Sequence, residues 1–292
     1  MKNDSSDTVR WPERLAVFFV VLALSLFVFV VLSHFRPLLP KTADLVTRIV
    51  TAVVLLAAAL AARRTERLRK YWQIIFALFV GLLAISVDYK LLLGQRVGSL
   101  LHVDPNSPAG WAVDKLGGEL TVVIIVVGLT FAMGGNLASL RIKRGRLALG
   151  LAVGLGTFAL AALTAVPLAQ FMFNANNLTL ARILPWTPWL LVFVLANAFG
   201  EEVLFRGLFL GKLEPFIGRL PASLLVALPF VFMHYGVPYT TEQFMFVGVL
   251  VPLAFCWGWL MQKTDGVWAS VLFHAGMDIS IMLGMFSNLS GA

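Results

Sequence analysis

Nine stretches of this chain are apolar over roughly the length of a bilayer crossing, and no other feature limits the fold as much. They fall at about 15–33, 45–62, 72–93, 120–139, 147–173, 187–210, 220–235, 243–261 and 268–286. A helix rises 1.5 Å per residue, so about 20 apolar residues cross the hydrocarbon core. Composition agrees. Of the 292 residues 59% are hydrophobic and 13% are charged, where a soluble domain keeps about 25% charged. The expected fold is all-α: a polytopic transmembrane helical bundle of about 8–9 spanning helices. The run from Leu15 to Ser33 is too long for a signal-peptide core and no small-residue cleavage site follows it, so it is expected to remain as a helix.

The formal charge of +8 invites a nucleic-acid reading, but the basic residues cluster between apolar runs, as in membrane-protein loops. No nucleic-acid partner is expected; membrane lipid is. Fifteen Lys and Arg lie around residues 2–14, 63–70, 141–146 and 212–219 and at Lys263. Six, including Arg36, Lys90, Lys115 and Arg182, lie on the other side. That bias predicts a cytoplasmic N-terminus and an outside C-terminus, in the plasma or inner membrane if the source is bacterial. Cys256 sits alone in an apolar run, so no intrachain disulfide forms.

The stretch 94–119 carries Gly94, Gly98, Pro105, Pro108, Gly110, Gly117 and Gly118 and reads as an external loop. Gly150-x-x-x-Gly154 could be a helix-packing face. Asn177-Leu-Thr179 and Asn288-Leu-Ser290 are sequons on the expected outer side, meaningful in a eukaryotic source.

Ionisable side chains at bilayer depth cost about 2.5–3.5 kcal/mol on insertion scales, so each marks a functional position by default. Arg48, Asp88 and Lys90 lie near helix ends, where they can snorkel or pair. After residue 190 the pattern changes. Glu201, Glu202 and Arg206 fall within six residues of one apolar run, His234 closes another, and His274 and Asp278 share a third. Glu202 and Arg206 are four residues apart on one helix face and can pair. Glu201 is turned about 100° away and can stay free. His274 and Asp278 also share a face.

A carboxylate in a low-dielectric pocket can take a proton from water near neutral pH. Histidines can orient that water or stabilise an oxyanion. Glu201, His234, His274 and Asp278 could equally hold a divalent metal such as zinc. Each residue alone also has a structural reading, as an ion pair or an interhelical hydrogen bond. Counted along 220–235, His234 comes out deeper than Glu201 and His274, a mismatch that a later helix start, a kink at Pro229 or helix tilt would repair.

Glu201-Glu202-x-x-x-Arg206, Phe230-x-x-x-His234 and His274-x-x-x-Asp278 resemble the three motifs of the CPBP intramembrane proteases. These are the type II CAAX prenyl endopeptidases and their bacterial relatives, including bacteriocin-processing and ABI-like immunity proteins. Gly266-Val-Trp268-Ala-Ser270-Val-Leu-Phe-His274 is similar to the family's approach to its last motif. The resemblance covers about 186–286 and implies a protease core over 147–292, with accessory transmembrane helices over 1–146. It implies Glu201 as the base, Glu202 and Arg206 as stabilisers of the site, and His234 and His274 on the oxyanion or the water. Asp278 stands where the motif usually ends in Asn, which makes metal ligation more plausible. The implied activity is endopeptidase cleavage of a membrane-associated peptide or protein. The alternatives are a non-catalytic immunity or scaffold protein and, last, a proton-coupled transporter, for which no repeated halves are visible.

Overall fold

The computed structural model of the protein describes residues 10–33 and 38–289. Lys2, Arg36 and Ser290, used in the charge and sequon arguments, lie outside them. The described residues are helical, without a strand, because in hydrocarbon the backbone must satisfy its own polar groups. Helix α1 (Trp11–Leu26) continues through a π turn, and α2 (Lys41–Arg64), α3 (Trp72–Leu91) and α4 (Leu93–Leu100) follow. Next come α5 (Pro108–Ala132), α6 (Leu147–Phe173) and α7 (Leu180–Glu201). A π turn over Glu202–Gly207 carries α7 into α8 (Leu208–Ile217), and α9 (Arg219–Met233), α10 (Gln243–Thr264) and α11 (Trp268–Ser287) complete the bundle. Among the described residues, eight helical runs are long and apolar enough to cross a membrane, and α9 is a shorter apolar helix. The protein is thus a multi-pass membrane protein, with Val53, Ile124 and Leu163 on outward faces where lipid satisfies them.

Helix α6 lies along α11, α5 packs on α7, and α10 packs on α9 and α11. The Gly150/Gly154 face meets this packing: a Cβ at Gly154 would come within 2.9 Å of Leu272. One end of the bundle is tied by Arg141, which bonds Glu214 of α8 at 2.9 Å and Asp265, in the turn between α10 and α11, at 2.6 Å. Lys143 adds a second contact to Asp265 at 2.7 Å, and its hydrogen bond, reinforced by Arg141, holds that carboxyl below the usual carboxylate range. This is the cationic end. The far end holds the last turns of α6 and α11 and the first turn of α10.

The stretch 94–119 is not an external loop. Only residues 101–107 connect two helices, and Ser107 caps α5 by accepting from the Gly110 amide at 3.0 Å, with Pro108 in the first turn. The glycines serve close packing instead of turns. A Cβ at Gly94 would lie 2.1 Å from the Asp114 carbonyl oxygen, and one at Gly117 would lie 2.4 Å from the Gly94 Cα. The helix therefore begins at Pro108, twelve residues before the expected 120, and Lys115 is a helix residue and not a loop residue.

The depth mismatch at His234 also has its explanation. The run begun by α7 does not stop near 210 but continues to Ile217, and α9 starts two residues later, after a turn at Gly218 with φ 86°. Glu201 lies sixteen residues above Ile217 and His234 fifteen above Arg219, so the two arms of this hairpin bring them level.

Candidate active site

Glu202 is saturated. One carboxylate oxygen accepts from Arg206 Nη1 at 2.9 Å and from His274 Nδ1 at 2.9 Å, and the other accepts from the Ser270 hydroxyl. Arg206 is fully buried, donates from Nη2 to the Ala254 carbonyl at 3.1 Å, and stacks over Phe230 at 4.4 Å and Trp257 at 5.3 Å. The ion pair expected from the four-residue spacing is present, and it lies within a π turn, a distortion that helices often carry at functional sites. With both oxygens engaged and the side chain wholly buried, Glu202 is closed to water. It orients His274.

Glu201 is the opposite case. Its side chain is 8% exposed, and Oε2 has no hydrogen-bond partner. That oxygen lies 3.5 Å from His274 Nε2, and Oε1 lies 3.9 Å from His234 Nε2, both longer than a good hydrogen bond. Asp278 Oδ1 stands 3.7 Å from the same His274 nitrogen. The structure therefore brings Glu201, His234, His274 and Asp278 together from three helices, with Glu202 and Arg206 behind them.

Each ring is fixed from its far side. His234 sits at the C-terminal cap of α9, where Nδ1 donates to the Phe230 carbonyl at 2.8 Å. The loop after it is tied by Gln243, which bonds the Gly236 amide and the carbonyls of Val237 and Thr240. His274 Nδ1 faces Glu202, and the Trp257 ring stacks on the imidazole at 3.9 Å and 12°. Because both Nδ1 atoms are engaged on acceptors, both Nε2 atoms are turned toward Glu201.

Sequence reasoning missed several members of the site. Asn197 donates to Asp278 Oδ2 at 2.9 Å; it lies four residues before Glu201 on the same face of α7, a spacing that could have identified it. Trp257 carries no such signal, being one aromatic in an apolar helix. From α5, Lys115 pairs with Glu119 at 3.5 Å, and the Glu119 carboxylate lies so close to Gly200 that a Cβ there would fall 1.8 Å from it. A cavity of about 1410 Å³ runs from this cluster to the 101–107 connection and the last turns of α6 and α11. Its mouth is therefore at the end opposite the Arg141–Asp265 clamp.

Among the described residues, no group of three or more His, Cys, Asp or Glu side chains is arranged to hold a metal ion.

Residues 183–280 match the family model described as type II CAAX prenyl endopeptidase Rce1-like. All six motif residues fall inside that stretch, so the resemblance read from them holds there. No curated protein and no solved structure matches the chain.

Proposed function

We propose that this chain is an intramembrane endopeptidase that hydrolyses a peptide bond of a membrane-associated peptide or protein, with water activated by Glu201. The observation that carries the reading is the buried Glu201 carboxylate, one oxygen unbonded, between two histidine Nε2 atoms. A water between these groups gives one proton to Glu201 as its oxygen bonds the scissile carbonyl carbon, and the carbonyl π pair moves onto its oxygen. His234 accepts the water's second hydrogen and so aims the lone pair. His274, flanked by three carboxylates, carries a second proton, and its Nε2–H donates to the oxyanion. When the tetrahedral intermediate collapses, the C–N bond breaks and the leaving amine takes the proton held by Glu201. Asp278, fixed by Asn197, and Glu202, fixed by Arg206 and Ser270, hold the His274 ring in place.

In this reading residues 147–292 form the protease core. Residues 1–146 are accessory, except that α5 contributes Lys115 and Glu119 to the cavity. With the N-terminus cytoplasmic, as the charge bias predicts, the cavity mouth faces away from the cytoplasm.

Glu201→Gln keeps the shape and removes the base. In proteoliposomes presented with a quenched-fluorescent peptide library, cleavage should fall about 10³-fold while the protein still inserts. Full cleavage by that variant would refute the assignment, and a cellular phenotype that survives it would mark a non-catalytic scaffold.

A further inference from the structure

The cavity has two walls of opposite chemistry. One is apolar, with Phe171 and Met172 from α6, Phe246 and Leu250 from α10, and Met277 and Met285 from α11. The other, from α3 and α5, presents Asp88, Asp114, Lys115 and Glu119. Counting Asp104 at the mouth and Glu201 and Asp278 at the floor, six carboxylates line the space against one lysine and no arginine. The whole chain, by contrast, carries +8. Lys115 does not balance the excess, because Glu119 already occupies it.

Asp88 stands out on the polar wall. It lies inside the apolar run Arg69–Leu100. Its carboxylate rests on Gly118, where a Cβ would come within 3.0 Å of Oδ1, and among the described residues it makes no side-chain hydrogen bond and no ion pair. The sequence leads one to expect it to pair or snorkel, yet it lines the cavity instead. A partly buried carboxylate in the last turn of α3 with no ion-pair partner is retained at a cost that a cation from outside the chain would offset. At the floor of the same cavity lies the second carboxylate without a full set of partners, Glu201, more than nine-tenths buried.

We propose that the substrate segment is amphipathic and cationic: its apolar side lies on the Phe and Met wall, and an ammonium or guanidinium group on it is received by Asp88. The inference rests on the protease reading for its orientation toward Glu201, and it names the substrate class for that site. An anionic segment would meet a cavity in which carboxylates outnumber cationic side chains, so the same wall disfavours acidic peptides.

The test uses the full chain carrying Glu201→Gln, in nanodiscs of zwitterionic lipid. The probe is a fluorescent, N-acetylated peptide of alternating leucine and lysine, compared with its leucine–glutamine counterpart. The lysine peptide should bind roughly tenfold more tightly, the difference one charge-assisted contact makes. Adding Asp88→Asn should erase that preference, and Asp88→Glu should keep it. A leucine–glutamine peptide with a free N-terminus separates the sources, since a gain there assigns the site to a terminal ammonium and its absence to side-chain cations. Equal binding of the acetylated lysine and glutamine peptides, or a preference that survives Asp88→Asn, would overturn the proposal. The first comparison needs no substitution at Asp88, so it stands even if that variant folds poorly. Binding is read separately from cleavage, in the Glu201→Gln variant. A failed charge preference therefore leaves the endopeptidase reading intact, and retained cleavage by Glu201→Gln leaves the charge preference intact.

Discussion

Two buried constellations of charge sit in this bundle, and they differ in one respect. Between α2 and α3, Arg48 Nε meets both Asp44 oxygens at 2.9 Å, its Nη1 reaches Ser86 at 3.2 Å, and its guanidinium lies over Tyr89 at 5.2 Å. Both side chains are 3% exposed or less. Around Glu201 the burial is similar, but the carboxylate is left with an unbonded oxygen and with neighbours at 3.5 and 3.9 Å. The first cluster is closed by its own contacts, whereas the second leaves one carboxylate oxygen free, the oxygen that the proposed reading makes the base. On the proposed reading, it is incomplete satisfaction of buried charge, and not burial alone, that sets the Glu201 cluster apart.

The largest contrast should appear in stability. Arg48→Met leaves Asp44 buried without its partner, which should cost about 3–5 kcal/mol and lower the thermal midpoint, while cleavage per folded molecule stays unchanged. Glu201→Gln should do the reverse, holding or raising the midpoint, because it removes a buried charge that was never fully paired. Equal losses of stability in the two variants, measured by thermal unfolding in the same detergent, would dissolve the distinction.

A smaller effect is expected at Asn197, the donor to Asp278 Oδ2. Asn197→Ala should slow cleavage about tenfold, with a loss of about 1 kcal/mol in stability. If the rate holds while the midpoint falls, Asn197 belongs with Arg48 and the boundary of the candidate cluster stops at Asp278.

That Asn197 had to be found in the structure shows what the sequence could and could not disclose. Glu201, Glu202, Arg206, His234, His274 and Asp278 were visible because charge inside apolar runs is costly and therefore conspicuous, and four-residue spacing gave the Glu202–Arg206 pair its geometry. Polar residues near expected loops lacked that contrast. Lys115 and Glu119 fell in or beside a glycine-rich stretch whose glycines serve helix contact, a use that composition does not distinguish from a turn. Asp88 was visible as a helix-end residue and does lie in the last turn of α3, but only the tertiary packing shows that it faces the cavity. The level of His234 depended on how far the helix beyond Glu201 runs and on the turn at Gly218, both hidden in a continuously apolar stretch. The π turn over Glu202–Gly207 left no mark in the sequence at all.

The smallest effect concerns the clamp at the cationic end, which extends the comparison to a third, half-exposed cluster. Asp265 is 49% exposed and is held below the ordinary carboxylate range by Lys143 first and then Arg141. A carboxyl whose folded value lies below its unfolded value stabilises the fold above the unfolded value, and that contribution fades as the pH falls through the folded one. Acidification below the ordinary carboxylate range should therefore lower the thermal midpoint, and Asp265→Asn should flatten that part of the curve. Solvent screens a pair this open, so the change should be modest and should shrink further in high salt. The pH profile of cleavage should not move with it, because the clamp ties the bundle at the end opposite the cavity mouth and touches none of the residues around Glu201. A shift in that profile in Asp265→Asn would mean that the clamp and the Glu201 cluster are electrostatically coupled across the bundle, and the two could no longer be treated as separate kinds of site.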